Sequence, residues 1–148
     1  MEIPRSVKSE HKELLSMLDK AVREPGEVGA AAKVVSDHLL PHFHKEEEFA
    51  LPQLGALMLS GDGVVDDPGK IVELSDRLRE EIPVMLEEHA RIAAALKELH
   101  ELAEKAGKEE HIRFANMLEQ HAKMEEEVLY PTSLLIGSYI KQKMATKA

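Results

Sequence analysis

The stretch His42-Phe43-His44-Lys45-Glu46-Glu47-Glu48-Phe49-Ala50-Leu51-Pro52 recurs later in the chain as His121-Ala122-Lys123-Met124-Glu125-Glu126-Glu127-Val128-Leu129-Tyr130-Pro131. His, three Glu and Pro hold the same offsets in both copies. Residues four apart on a helix share one face, about one turn from each other. His42 therefore points with Glu46, and His121 with Glu125. A further His stands upstream of each copy, His11 after Glu10 and His89 after Glu88, and the interval from His11 to His42 nearly equals that from His89 to His121. The chain reads as one helical hairpin written twice.

Outward from the repeat, the apolar spacing is helical. Val7, His11, Leu14, Leu15 and Leu18 follow the i, i+3, i+4, i+7 pattern of a single helix face. This first helix is expected to end near Arg23, before the breaker Glu24-Pro25-Gly26. A second is expected from about Val28 to Leu59, kinked or interrupted at Pro41 and Pro52. The clearest loop runs from Ser60 to Gly69. A third helix is expected from Lys70 to Lys105, kinked at Pro83 and closed by Gly107, and a fourth from Glu109 to Tyr130. Pro131 then opens a short apolar helix to about Lys143. No alternating strand pattern is present. The expected fold is all-α, an up-and-down four-helix bundle with a short C-terminal extra helix, in one domain over residues 1–148.

Composition narrows the function classes. The chain carries 28 acidic against 19 basic residues, a formal charge of −9, which repels phosphate backbones and argues against nucleic-acid binding. It has no Cys, so thiolate metal sites and disulfides are excluded. No basic segment followed by an apolar run opens the sequence, and no apolar run matches a bilayer; the expected setting is the cytoplasm, away from membranes.

A single H-x-x-x-E on a helix is commonly a surface pair, and a run of three Glu is commonly a solvated face. Two copies, each with an upstream His interrupting an apolar face, point elsewhere. His11, His42, Glu46, His89, His121 and Glu125 converge from four helices on the bundle centre. Neutral imidazole and carboxylate suit divalent first-row metals such as iron, manganese or zinc, and the duplication favours two ions. One arrangement pairs His11 with His42 and His89 with His121, with Glu46 and Glu125 bridging. The second and third Glu of each triplet are read as surface residues.

These residues resemble the hemerythrin family in its His-His-Glu form: His11, H-x-x-x-E-E at His42 to Glu47, His89, and H-x-x-x-E-E at His121 to Glu126, over nearly the whole chain. The resemblance implies a four-helix bundle around two iron ions with an oxo or hydroxo bridge. The ligand it implies is dioxygen or another small diatomic or peroxide, and a sensor would need a protein partner. An enzyme acting on peroxide, nitric oxide or iron is the alternative, and a metal-stabilised interaction module a third. Hemerythrins carry an H-x-x-x-H pair on the third helix; here Met85 precedes His89 by four residues and Ala93 follows it by four. His38, one turn before His42, is the candidate for the missing imidazole. Ferritin-like bundles use Glu-x-x-His, the reverse order.

The remaining histidines, His44, His100 and His111, are placed outside the site, with His44 and His111 expected at the surface. Tyr130 is read first as packing at the Pro131 corner and second as a hydrogen-bond donor near the metals. Met17, Met85, Met117 and Met124 are read as core filler. Asp62, Asp66 and Asp67 lack calcium-loop spacing.

Overall fold

The computed structural model describes residues 2–58 and 65–147. Six α-helices account for most of the described chain: α1 (Arg5–Val22), α2 (Glu27–Lys45), α3 (Pro52–Met58), α4 (Pro68–Ala106), α5 (Glu109–Met124) and α6 (Tyr130–Lys147). Among the described residues there is no strand, and no helix is long and apolar enough to cross a membrane. The expected Leu59 helix end and the first half of the Ser60–Gly69 loop, with Asp62, lie outside the described residues.

Helix boundaries follow local chemistry. Pro68 begins α4, where a missing N–H costs nothing, and the Asp67 carboxylate accepts from the Lys70 amide at 3.1 Å. Gly107 closes α4 in the left-handed conformation at φ 68°, which a side chain would disfavour. Helix α2 runs through Pro41 without a break, and α4 likewise runs through Pro83.

Two expectations are corrected at the repeat. The second helix is interrupted at Pro52 as expected, but the break begins earlier: α2 stops at Lys45, and a π-helical turn, Glu46–Ala50, leads through Leu51 into α3. The last helix is neither short nor separate: α5 passes through a second π turn, Glu125–Leu129, directly into the 18-residue α6. Each π turn begins on the Glu of an H-x-x-x-E unit. Each is closed by the amide five residues on, Leu51 N–H to the Glu46 carbonyl and Tyr130 N–H to the Glu125 carbonyl. The physical cause is the next residue. Pro52 and Pro131 have no N–H, and a proline ring clashes with the carbonyl four residues back; a widened turn relieves that clash.

Helices α1, α2, α5 and the second half of α4 form the four-helix bundle, while α3 and α6 pack on α4 beyond it. One core cluster fills the bundle, including Leu14, Leu18, Val35, Leu39, Ile92, Leu99, Phe114 and Leu118. A second, with Phe49, Leu51, Leu74, Leu78, Met85 and Tyr130, lies under α3 and α6. The conserved offsets of the repeat therefore fall in a polar layer between two apolar ones. Farther out, Gly137 lets α6 approach α4: a Cβ there would sit 2.2 Å from the Ser75 Cβ. Ser75 uses that proximity to donate to the Ser133 carbonyl at 2.9 Å while accepting from Gln53 at 3.2 Å.

Candidate metal centre

Six of the seven residues singled out from the sequence meet in this layer. His11, His42, Glu46, His89, His121 and Glu125 are all buried. They form two groups that share both carboxylates, His11 and His121 with Glu46 and Glu125, and His42 and His89 with the same pair. The grouping corrects the expected pairing of His11 with His42. Helix α1 packs on both α2 and α5, and α4 on both α2 and α5; of these neighbours it is α1 with α5, and α2 with α4, whose histidines meet.

The distances describe two adjoining groups, each of which could hold a metal ion. Nε2 of His11 lies 3.1 Å from Nε2 of His121, and Nε2 of His42 lies 2.7 Å from Nε2 of His89. Two nitrogens bound at right angles to one ion, at an ordinary bond length near 2.1 Å, are about 3.0 Å apart. Glu46 places Oε1 3.5 Å from His11 and Oε2 3.5 Å from His42. Glu125 places Oε2 3.0 Å from His121 and Oε1 3.4 Å from His89. Each carboxylate thus offers one oxygen to each histidine pair.

The other ring nitrogens set the tautomers. Nδ1–H of His42 donates to Glu88 at 3.3 Å, that of His89 to Glu126 at 2.8 Å, and that of His121 to Glu10 at 2.5 Å. An ionised carboxylate only accepts, so in a neutral imidazole the Nε2 lone pair faces the centre of the layer. This is how metal-ligating histidines are usually oriented. The residues fit a metal pair on this ground, and on a second: Glu46 Oε1 is buried with no hydrogen-bond partner, a costly state for a carboxylate oxygen unless a cation meets it.

The outer contacts keep the symmetry of the repeat up to a point. Glu10 of the first Glu-His pair supports His121, and Glu88 of the second supports His42, which also draws Lys45 to Glu88 at 3.2 Å. Glu126, itself partly exposed, supports His89, but its counterpart Glu47 does not reach His11, whose Nδ1 has no partner. The His11 ring instead stacks on Phe43, centroids 3.9 Å apart and planes 4° from parallel; Ala122 stands where the second copy would need such a ring.

Charge inside the layer is divided. Burial pushes His11 down to about 4, so it is neutral. Burial also acts to lower His42 and His89, but carboxylates at Glu46 and Glu88, and at Glu125 and Glu126, outweigh it and raise both. Burial and the adjacent Glu46 charge push Glu125 well up. Glu46 resists the same burial because the Glu125 carboxyl and the His42 and His11 imidazoles beside it favour its charge, and it sits below the ordinary range. Two buried carboxylates this close share a proton, and here Glu125 holds it. Metal ions would compete for these positions with protons.

Four further assignments change. His38 is exposed and outside both groups. Four residues turn a helix about 40° past a full turn; His42 sits toward one margin of the buried stripe of α2, and that step carries His38 over its edge. His111 is buried rather than at the surface, with Nε2 3.0 Å from Glu24, tying the α1–α2 turn to α5. Tyr130 is in the layer: its hydroxyl donates to Glu46 Oε2 at 2.5 Å and lies 3.2 Å from His89 Nε2 and 3.4 Å from His42 Nε2. Met124 is half-exposed rather than core, whereas Met85 is fully buried beside the layer. His44 is exposed, and His100 pairs with Glu104 at 2.9 Å away from the centre.

Glu10, Glu88 and Glu126 are the neighbours of the layer that sequence reasoning missed. The signal for the first two was present, since Glu immediately precedes both lone histidines. For Tyr130 the second of its two readings, a hydrogen-bond donor in the layer, is the one the structure shows, because the extra residue in the π turn rotates it inward. The comparisons with curated proteins and with solved structures return no significant match. The family model described as "Hemerythrin HHE cation binding domain" matches residues 3–133, which spans both histidine-glutamate units and all four bundle helices. The chain belongs to the hemerythrin HHE cation-binding domain family.

Proposed function

We propose that the layer holds two iron ions bridged by Glu46 and Glu125, one between His11 and His121 and one between His42 and His89. We further propose that it binds or senses dioxygen or a related small molecule. The observation that carries this reading is the orientation of the two carboxylates, each with one oxygen toward each histidine pair. Iron supplies reversible oxygen binding and one-electron chemistry. The chain supplies four inward-facing nitrogens, two bridging carboxylates and two apolar layers that keep bulk water away. With two nitrogens and two carboxylate oxygens per site, coordination stays short of six ligands, leaving room for an exogenous molecule. Met85, at the position of the absent histidine, fills its place with an apolar side chain. The acidic charge sets nucleic acid aside as a partner, and the expected setting is the cytoplasm, with a separate protein partner if the role is sensing.

Tyr130 favours a second reading, an enzyme acting on peroxide or nitric oxide. Its O–H is a proton held within hydrogen-bond distance of Glu46, beside His42 and His89, where a reaction that consumes protons would use it.

The test is metal content per chain, with visible absorption spectra taken before reduction, after reduction and after air exposure. Two irons with bands that disappear on reduction support the reading, and their reversible return favours binding over turnover. One zinc per chain, or no metal in any preparation, overturns it.

A further inference from the structure

Residues Val128 to Ile140 contain no charged side chain, with Glu125-Glu126-Glu127 immediately before them and Lys141 and Lys143 immediately after. Only part of this segment faces the core. Tyr130, Ser133, Ile136 and Ile140 are buried, whereas Leu135 is 68% exposed, Tyr139 53% and Val128 47%. Leu135 and Tyr139, one turn apart on α6, lie opposite its buried side, and Val128 stands on the π turn just before the helix. Apolar residues are accordingly spread around α6 rather than gathered on one face. A helix apolar on all sides is one that is covered on all sides, and among the described residues nothing covers this one. Most of α6 lies beyond residue 133, where the family match ends.

The charges at its ends select what covers it. Leu135 stands midway between Glu127 and Lys143, about 12 Å from each along the axis. A second copy of the same helix, laid antiparallel and centred on Leu135, brings the acidic end of each over the basic end of the other. A parallel copy sets like charges together. Lys143 is already held at the edge of the stripe, its ammonium 5.5 Å from the centre of the Tyr139 ring. The geometry points to a homodimer in which α6 pairs antiparallel with α6 of a second chain about a two-fold axis at Leu135. Such an isologous contact uses each patch twice. Its apolar stripe supplies the affinity, while the exposed end charges supply direction and little energy. A strip one helix wide is at the small end of specific interfaces, so dissociation on the order of micromolar is expected. This inference does not depend on which metal the bundle holds.

Sedimentation equilibrium of the full chain, from micromolar to submillimolar concentration, tests it. A monomer–dimer equilibrium is expected. Leu135→Glu, on an exposed position, should raise the dissociation constant by at least about 100-fold, because the residue is central and occurs twice, while the helical circular-dichroism signal stays unchanged. Lys143→Glu should weaken the dimer, and Glu127→Lys in the same chain should restore it in low salt. The absence of cysteine makes single-cysteine cross-linking clean: Leu135→Cys, on the axis, should form an intermolecular disulfide, and Val128→Cys should not. A chain that stays monomeric, a dimer untouched by Leu135→Glu, or cross-linking at both positions as in a parallel pair would overturn the proposal.

Discussion

Replacing Tyr130 with Phe removes one hydroxyl and leaves the ring, so the packing of the second core cluster is kept. The lost contact is the 2.5 Å hydrogen bond to Glu46 Oε2. Glu46 has no solvent exposure, and its other oxygen has no hydrogen-bond partner. A hydrogen bond to a buried charge is worth about 1.5–3 kcal/mol, so in the metal-free protein the substitution should cost about 2 kcal/mol. For a chain of this size that lowers Tm by about 4–8 °C. The assay is urea and thermal unfolding of chelator-treated protein, parent against variant, with an unchanged urea m-value showing that two-state comparison is valid. In a Glu46→Gln background the same substitution should cost less than half as much, since a neutral amide needs the donor less; this double-mutant cycle isolates the pair. Loading with metal should also shrink the cost, because a cation then balances the carboxylate. A metal-free Tyr130→Phe protein as stable as its parent, or a larger loss in the loaded form, would refute the reasoning.

Glu126→Ala should weaken metal binding by about 10–100-fold by freeing the His89 ring from its 2.8 Å anchor, measured by competition with a chromophoric chelator; Glu47→Ala, at the equivalent but exposed position, should change it little. Metal uptake at neutral pH should release protons, because Glu125, His42 and His89 all bind protons more tightly than usual in the metal-free layer, and affinity should fall as pH falls. Calorimetry in buffers of different ionisation enthalpy counts those protons, and a count of zero would contradict the charge assignment. The hydrogen bond from His111 holds the Glu24 carboxyl below its ordinary range, helped by Lys108 and opposed by partial burial. A depressed folded-state value stabilises above the unfolded value and is lost as pH falls through the folded one. Glu24→Gln should therefore be less stable than the parent at neutral pH, with the gap closing in acid; a gap that persists at the lowest pH would show that the contact is not ionic.

The sequence alone determined the helical class, the duplicated hairpin and the six convergent side chains, because helix periodicity converts spacing directly into direction. His42 with Glu46 and His121 with Glu125 share a face whatever surrounds them, and His11 and His89 interrupt stripes that have to be buried. It did not determine which histidines pair, since each bundle helix packs on two others and its own pattern does not say which neighbour its histidine turns toward. Nor did it place Tyr130: one extra residue in the π turn before it rotates everything that follows, and a one-residue rotation is invisible to a pattern read at fixed period. His38 failed for the related reason that one turn is not a whole number of residues, so a side chain four positions from a buried ligand can still face water. The supporting carboxylates Glu10 and Glu88 stood in view beside His11 and His89, but the histidines they serve did not, because Glu10 serves one on α5 and Glu88 one on α2. Local spacing fixes what one helix presents; only the packing of helices decides what each presented group meets.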